Sequence, residues 1–235
     1  MGSLTRSPIN TIEDDASQLV LLGAGGHARE ILDLLEDLRG PAMARRTLSL
    51  FAETEHTSEE ALALVRDRGY RFVDDLSTLA GVGFVAAVGD PALRRLLVAT
   101  AEDAGMRAVS VVSPRARVLD VMAGSGEGLV AFADTYISSN VRLGRHCHVN
   151  QACRISHDVV LGDYATLGPG CLLTGRVRVG SSVVVGAGAI LIPDVSIGDG
   201  AIVGAGSVVI RDVPAGATVV GNPARPVSPR RRSAV

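Results

Sequence analysis

From Ser125 onward a small or aliphatic residue returns at every sixth position, and a chain patterned this way packs as a stack of short, flat rungs. Stepping by six meets Ser125, Ala131, Ile137, Leu143, Val149, Ile155, Leu161, Leu167, Leu173, Val179, Val185, Leu191, Ile197, Val203, Val209 and Ala215. Thirteen of these sixteen are Ile, Leu or Val, a regularity that chance does not produce. The fourth place after each is also small or apolar, from Leu129 and Thr135 to Ser207 and Val213. A slower beat lies above this one. Leu143-Gly144, Leu161-Gly162, Val179-Gly180 and Ile197-Gly198 recur at every third hexad, so three hexads make one coil and three faces make a triangular prism. Residues 125–214 supply five such coils. Each coil pairs only with its neighbours, so the open end needs a cap. Asn222-Pro-Ala-Arg-Pro226 breaks the pattern and is expected to supply it.

Before residue 113 the pattern is different. Leu19 to Leu22 is an apolar run entering Gly23-Ala-Gly-Gly26, and His27 to Leu38 carries Ile31, Leu34, Leu35 and Leu38 at helical spacing. Thr47 to Phe51 and Phe84 to Val88 read as strands, Pro91 to Ala104 as a helix with proline in its first turn, and Arg107 to Val112 as a closing strand. Strands alternating with helices imply a small parallel α/β sheet. The expected organisation is a polar leader over 1–17, a Rossmann-like domain over 18–112, a parallel β-helix over 113–227 and a tail over 228–235.

Composition narrows the function. Net charge is −2, the 23 basic residues are all arginine, and no basic stripe with interleaved aromatics occurs, which argues against nucleic acid. No apolar run is long enough for a membrane helix, and the N-terminus lacks the apolar stretch of a signal peptide. Cys147, Cys153 and Cys171 form no disulfide framework and have no zinc-ligand spacing, so no metal is expected and the cytoplasm is the expected compartment. All three occupy the inward fourth place of a hexad, which makes them core residues rather than nucleophiles.

Three segments carry a resemblance. Leu21-Leu-Gly-Ala-Gly-Gly-His-Ala-Arg-Glu30, Ala87-Val-Gly-Asp-Pro-Ala-Leu-Arg94, and the stretch from Ile155-Ser-His-Asp158 to Val220-Gly-Asn-Pro-Ala224 stand in the order found in one family, across most of the chain. The chain resembles the hexapeptide-repeat acetyltransferases that include sialic acid O-acetyltransferases and N-acetyltransferases of nucleotide-linked 4-amino sugars. The resemblance implies a left-handed coil, although parallel crossovers are ordinarily right-handed. It also implies acetyl-CoA as acyl donor, a nucleotide sugar or amino sugar as acceptor, and a homotrimer with sites between prisms.

It further implies a catalytic histidine that takes a proton from the acceptor, a task suited to an imidazole. His157 matches that base and Asp158 its acidic partner, and the hexad turns His157 outward. The three-hexad coil sets Gly175 one coil beyond His157, at about the 4.8 Å strand spacing. Gly175 matches the family's oxyanion glycine, whose N–H would hold the developing charge. Gly23, Gly25, Gly26 and His27 match the nucleotide-binding positions, whereas Phe51-Ala-Glu-Thr-Glu55 stands where the family carries two or three aspartates, with Glu53 the expected contact of a ribose or base; the other reading of the glycine turn is that it only packs the helix. Thr166 stands where the family carries a second histidine, a contact of the acyl donor. His148, one coil earlier, stacks beside it and either replaces that ring or is an exposed rim residue. Gly186 and Gly204 either admit the pantetheine arm of coenzyme A or only suit coil corners. The leading expectation is transfer of an acetyl group to an amine by direct attack. The alternatives are O-acetylation of a sugar, a non-catalytic hexapeptide scaffold, and a nucleotide-dependent oxidoreductase, for which no catalytic lysine or tyrosine arrangement is present.

Overall fold

The computed structural model describes residues 17–52, 57–122 and 125–227. Its N-terminal half is an open parallel sheet. The elements are β1 (Leu19–Leu22), α1 (Gly26–Arg39), α2 (Pro41–Thr47), β2 (Leu48–Phe51), α3 (Glu59–Asp67), β3 (Arg71–Phe72), β4 (Gly83–Ala86), α4 (Pro91–Asp103) and β5 (Arg107–Ala108). The strand order is β3-β2-β1-β4-β5, all parallel. β1 and β4 are buried on both sides, as their unbroken apolar runs require. One apolar layer packs Leu19, Leu21, Leu50 and Val85 under Ile31, Leu32 and Leu35 of α1. The other packs Val20, Leu22, Phe84 and Ala86 under Leu97, Val98 and Ala101 of α4.

Two helices go beyond the sequence pattern. In α3, Ser58 caps the first turn by accepting from the Ala61 N–H, ahead of Glu59 and Glu60, a pattern legible in retrospect. In α2, Pro41 opens a seven-residue helix too short to establish a period. The expected closing strand over 107–112 is divided. Arg107–Ala108 finishes the first sheet, whereas Val111–Val112 already belongs to the prism. Ser110 makes the transfer: its hydroxyl donates to the Gly126 carbonyl and accepts from the Leu129 N–H.

The C-terminal half is a three-sided prism of two-residue parallel strands. The first face runs from Val111–Val112 through His148–Val149 and Thr166–Leu167 to Thr218–Val220. The second runs from Arg117–Val118 through Arg154–Ile155 to Val208–Val209, and the third from Arg142–Leu143 to Ser196–Ile197. His148 pairs with Thr166, and Thr166 with Val184, so the three-hexad coil is observed in register. The stack holds one coil more than the five expected. Val111 pairs with Val130, one step out of the three-hexad spacing, so the six-beat pattern counted from Ser125 does not extend back to it. At the far end Arg225–Val227 turns back antiparallel on Thr218–Val220 and covers that edge, the role expected of the segment after Asn222.

The inward positions are those given by the two ladders. Every ladder residue from Ala131 to Val209 is buried, as is each fourth-place residue from Leu129 to Val213. Burying one such aliphatic side chain stabilises the fold by about 1.5–3 kcal/mol. The cysteines lie in this interior, free, their thiols donating to the carbonyls of Gly162, Gly168 and Gly186 at 3.2 Å. Burial pushes the Cys147 thiol up to about 12, which makes it inert.

The corners explain a second composition signal. Every sixth residue from Asp134 to Gly206 has positive φ, the conformation that turns the chain from one face to the next. Glycine fills four of these positions, and Asp or Asn fills four of the nine non-glycine ones, the residues that tolerate it best. Among the described residues no helix is long and apolar enough to cross a membrane.

Candidate functional site

His157 and Asp158 sit at the corner between the second and third faces, with Asp158 in the left-handed turn at φ 60°. That turn swings the carboxylate back toward the preceding ring. Asp158 Oδ2 lies 2.7 Å from His157 Nδ1, so Nδ1–H donates to it. Asp158 Oδ1 accepts from Asn140 Nδ2, at 2.5 Å. The two hydrogen bonds, His157's first, hold the Asp158 carboxyl below the usual carboxylate range. With Nδ1 carrying the proton, Nε2 is the free acceptor, and the imidazole side chain is 56 % exposed.

The ring lies against Gly175. A methyl group at that glycine would meet His157 Cε1 at 2.7 Å and Nε2 at 2.8 Å, so the imidazole occupies the space of a side chain there. The Gly175 N–H donates to no group among the described residues. The lattice argument from a three-hexad coil therefore brings these three residues together. Asn140 completes the cluster without having been singled out by sequence. The signal for it was the same lattice, since Asn140 lies one coil before Asp158.

A second constellation lies on the other side of the prism. Gly23 leaves β1 at φ 121°, where an added methyl would meet Val88 Cγ2 at 2.7 Å and the Ala87 carbonyl oxygen at 3.0 Å. Gly25 precedes α1 without a capping side chain, and Gly26 begins the helix, so the first-turn N–H groups are open to a ligand. Gly23, Gly25, Gly26 and His27 line one side of a cavity of about 190 Å³; Ala87, Val88, Gly89 and Leu93 line the other. This is the crevice between β1 and β4 where the strand order reverses, the standard ligand site of an open α/β sheet. Glu53 lies outside the described residues.

His148 and Thr166 require a correction. The rim position expected for His148 is not observed: its side chain is fully buried, and Thr166 is 9 % exposed. Both face outward from the first face of the prism, and the N-terminal domain covers that face. The cover is Arg94, itself fully buried. It donates to the carbonyls of Val88 (2.8 Å), Gly89 (3.2 Å) and Tyr164 (2.6 Å), to Thr166 Oγ1 (2.9 Å) and to His148 Nδ1 (3.2 Å). An arginine only donates, so His148 Nδ1 accepts and its proton is on Nε2. His27 Nε2 approaches the same nitrogen at 2.9 Å. Thr166 Oγ1 in turn donates to the Gly89 carbonyl at 3.2 Å.

Arg94 makes no ion pair among the described residues. Burial without a carboxylate costs several kcal/mol, which the five acceptors offset, and it lowers the guanidinium to about 10. Burial likewise drives His148 far below the usual imidazole range. In the sequence Arg94 belongs to a family motif without an evident role. A signal was present nonetheless: Arg94 shares the stripe of Leu97, Val98 and Ala101 at helical spacing, the inward face of α4.

Gly186 and Gly204 lie at coil corners, where an added methyl would meet Ala205 N at 2.5 Å and Val220 Cγ1 at 2.7 Å respectively. Close stacking of adjacent coils thus accounts for both. Among the described residues no group of three His, Cys, Asp or Glu side chains is close enough to hold a metal ion.

With this geometry established, the similarities are specific. Residues 18–101 match the PglD N-terminal domain model, and residues 176–211 match the bacterial transferase hexapeptide (six repeats) model. No curated protein sequence matches. Among solved structures the chain is similar to perosamine N-acetyltransferase from Caulobacter crescentus, a histidine-to-asparagine mutant in complex with CoA and GDP-perosamine. The identity is 29 %, covering 93 % of this chain and all of that one, with a TM-score of 0.77. It is similar to WeeI from Acinetobacter baumannii, at 29 % identity over 90 % of this chain and all of that one, TM-score 0.77. It is also similar to the acetyltransferase domain of PglB from Neisseria gonorrhoeae in complex with acetyl coenzyme A, at 26 % identity over 89 % of this chain and 98 % of that one, TM-score 0.72. The chain thus carries a PglD-type N-terminal domain followed by bacterial-transferase hexapeptide repeats, and over about nine-tenths of its length it is similar to acetyltransferases that bind coenzyme A.

Proposed function

We propose that this acetyltransferase moves an acetyl group from acetyl-CoA to the amine of a nucleotide-linked amino sugar. The observation that carries this reading is the His157 ring, oriented by Asp158 and laid against the free amide of Gly175. His157 Nε2 takes the proton of the amine as its nitrogen attacks the thioester carbonyl. Asp158 keeps the other ring proton on Nδ1 and supports the imidazolium that forms. The Gly175 N–H stabilises the oxyanion. Collapse forms the amide and expels the CoA thiolate, which takes the proton back from His157. Attack is direct, and no enzyme side chain is acylated.

The cavity of Gly23, Gly25, Gly26 and His27 is the expected seat of the nucleotide. Open N–H groups at the start of α1 suit a diphosphate. The complexes of the perosamine enzyme with GDP-perosamine and of the PglB domain with acetyl coenzyme A support this pairing of substrates.

The geometry also favours a site shared between copies of the chain, and the family likeness reads that assembly as a homotrimer. The N-terminal domain covers the first face of the prism, and His157 lies at the opposite corner, between the second and third faces. The nucleotide cavity and the base of one chain thus point to different sides. A complete site needs the cavity of one copy beside the His157 of another. The coil is read as left-handed on the family likeness. Three free, buried cysteines accord with a reducing compartment such as the cytoplasm.

The test is free-thiol release from acetyl-CoA with UDP-, GDP- and dTDP-linked amino sugars. Wild type should turn over at least one of them, and His157→Ala should lose about 10²–10⁴ in kcat. Equal rates in the two proteins would remove His157 from the mechanism.

A further inference from the structure

Two separate strands of the prism reach the nucleotide cavity without touching its interior. The glycine-turn wall is tied through His27, whose Nε2 meets His148 Nδ1 at 2.9 Å. The opposite wall is tied through Gly89, whose carbonyl accepts from both Arg94 Nη1 and Thr166 Oγ1, at 3.2 Å each. Arg94 joins the two ties, since it also donates to His148 and Thr166. His148 and Thr166 are themselves register neighbours on adjacent coils, so their spacing is fixed by the prism ladder.

We propose that Thr166 and His148 are positioning residues for the nucleotide: acting through Arg94 and His27, they set the separation of the two cavity walls, and they do not contact the acyl donor. The inference rests on the reading of the cavity as a nucleotide site. Three observations favour it over a purely structural seam. Arg94 spends two of its five hydrogen bonds on the cavity wall itself, at Val88 and Gly89. Its five hydrogen-bond acceptors are all neutral, so the guanidinium stands behind the wall as a cation on which the Asp90 carboxylate acts only through space, a placement that suits an anionic ligand. Thr166 is within hydrogen-bond reach of both the guanidinium and the wall, a double contact that its hydroxyl makes by accepting and donating at one atom.

The experiment compares wild type, Thr166→Val, Thr166→Ser and Arg94→Lys. Steady-state kinetics vary the nucleotide amino sugar and acetyl-CoA in turn, and calorimetry measures binding of UDP, GDP and dTDP. Thr166→Val, of nearly equal volume, should raise KM for the nucleotide sugar about tenfold and weaken the preferred nucleoside diphosphate equally. KM for acetyl-CoA and kcat should remain within twofold of wild type. Thr166→Ser should restore nucleotide affinity. Arg94→Lys, which keeps the charge but not the fork of donors, should weaken the nucleotide in the same direction even if Thr166→Val folds poorly. A rise in KM for acetyl-CoA, or a fall in kcat with nucleotide affinity unchanged, overturns the proposal. If wild type binds a nucleoside diphosphate and both Thr166→Val and Arg94→Lys bind it as tightly, the proposal alone fails. If wild type binds none of the three, the reading of the cavity fails with it.

Discussion

Gly175→Ala isolates the placement of the proposed catalytic ring, His157, from every other property of the site. The substitution keeps the backbone N–H, so the proposed oxyanion donor survives. Gly175 is not among the positive-φ residues, so alanine suits the backbone. The new methyl would stand 2.7 Å from His157 Cε1 and 2.8 Å from Nε2. Ordinary contact begins near 3.4 Å, so the imidazole has to retreat by about 0.7 Å. The side chain is more than half exposed, so it can swing outward with little cost to the fold. A displacement of about 1 Å at reacting atoms costs on the order of 10²-fold in rate. We therefore expect kcat to fall about 10- to 100-fold, a barrier increase of about 1.4–2.7 kcal/mol. Thermal stability should be unchanged or slightly raised, because alanine restricts the unfolded chain. Thiol release gives the rate and circular dichroism the melting temperature. A variant whose kcat/KM lies within twofold of wild type would refute the argument that the ring works from its seat on the glycine.

Other outcomes follow from the same geometry. His146 is buried between Phe84 and Tyr164, at ring-centroid distances of 5.9 and 5.4 Å, and burial lowers it to about 4 from an ordinary 6.5. The unfolded chain therefore binds the proton more readily, so the stability held above pH 6.5 is lost as pH falls toward 4. Between pH 7 and pH 5 this group alone should remove about 2 kcal/mol, and His146→Asn, which tolerates the left-handed corner, should flatten the urea-midpoint profile by that amount. A profile as steep as that of wild type would exclude His146 as the cause. Ala152 holds φ 58° at an exposed corner. Relieving that conformation with glycine should outweigh glycine's entropic cost and raise stability by about 0.5–1 kcal/mol, read as a Tm increase of roughly 2 °C; a lower Tm would contradict the strain argument. Gly23→Ala should force Val88 outward, raise KM for the nucleotide sugar at least about tenfold and lower stability by about 1–3 kcal/mol, measurable by kinetics and urea unfolding. Unchanged KM would mean that the turn only packs α1.

The prism was legible in the sequence because its interior repeats one local rule. A rung turns inward once per hexad, so Ile155, Leu161 and Leu167 announce themselves without knowledge of their partners. The same periodicity turns three hexads of sequence into one coil of height, which is why His157 and Gly175 could be placed together from spacing alone. The α/β half was legible where a period was long enough, in α1 and α4, and not in α2, where seven residues, about two turns, establish none. What the sequence could not supply was the relation between the halves. His148 occupies an outward hexad position, and by local pattern it belongs on the surface; only the docking of the N-terminal domain on the first face buries it. Arg94 is a charged residue on an apolar stripe, and its acceptors come from residues 88 and 89 on one side and 148, 164 and 166 on the other. Local patterns record which way a side chain points within its own element. What meets it there is fixed by packing between elements distant in sequence, and so by the tertiary structure alone.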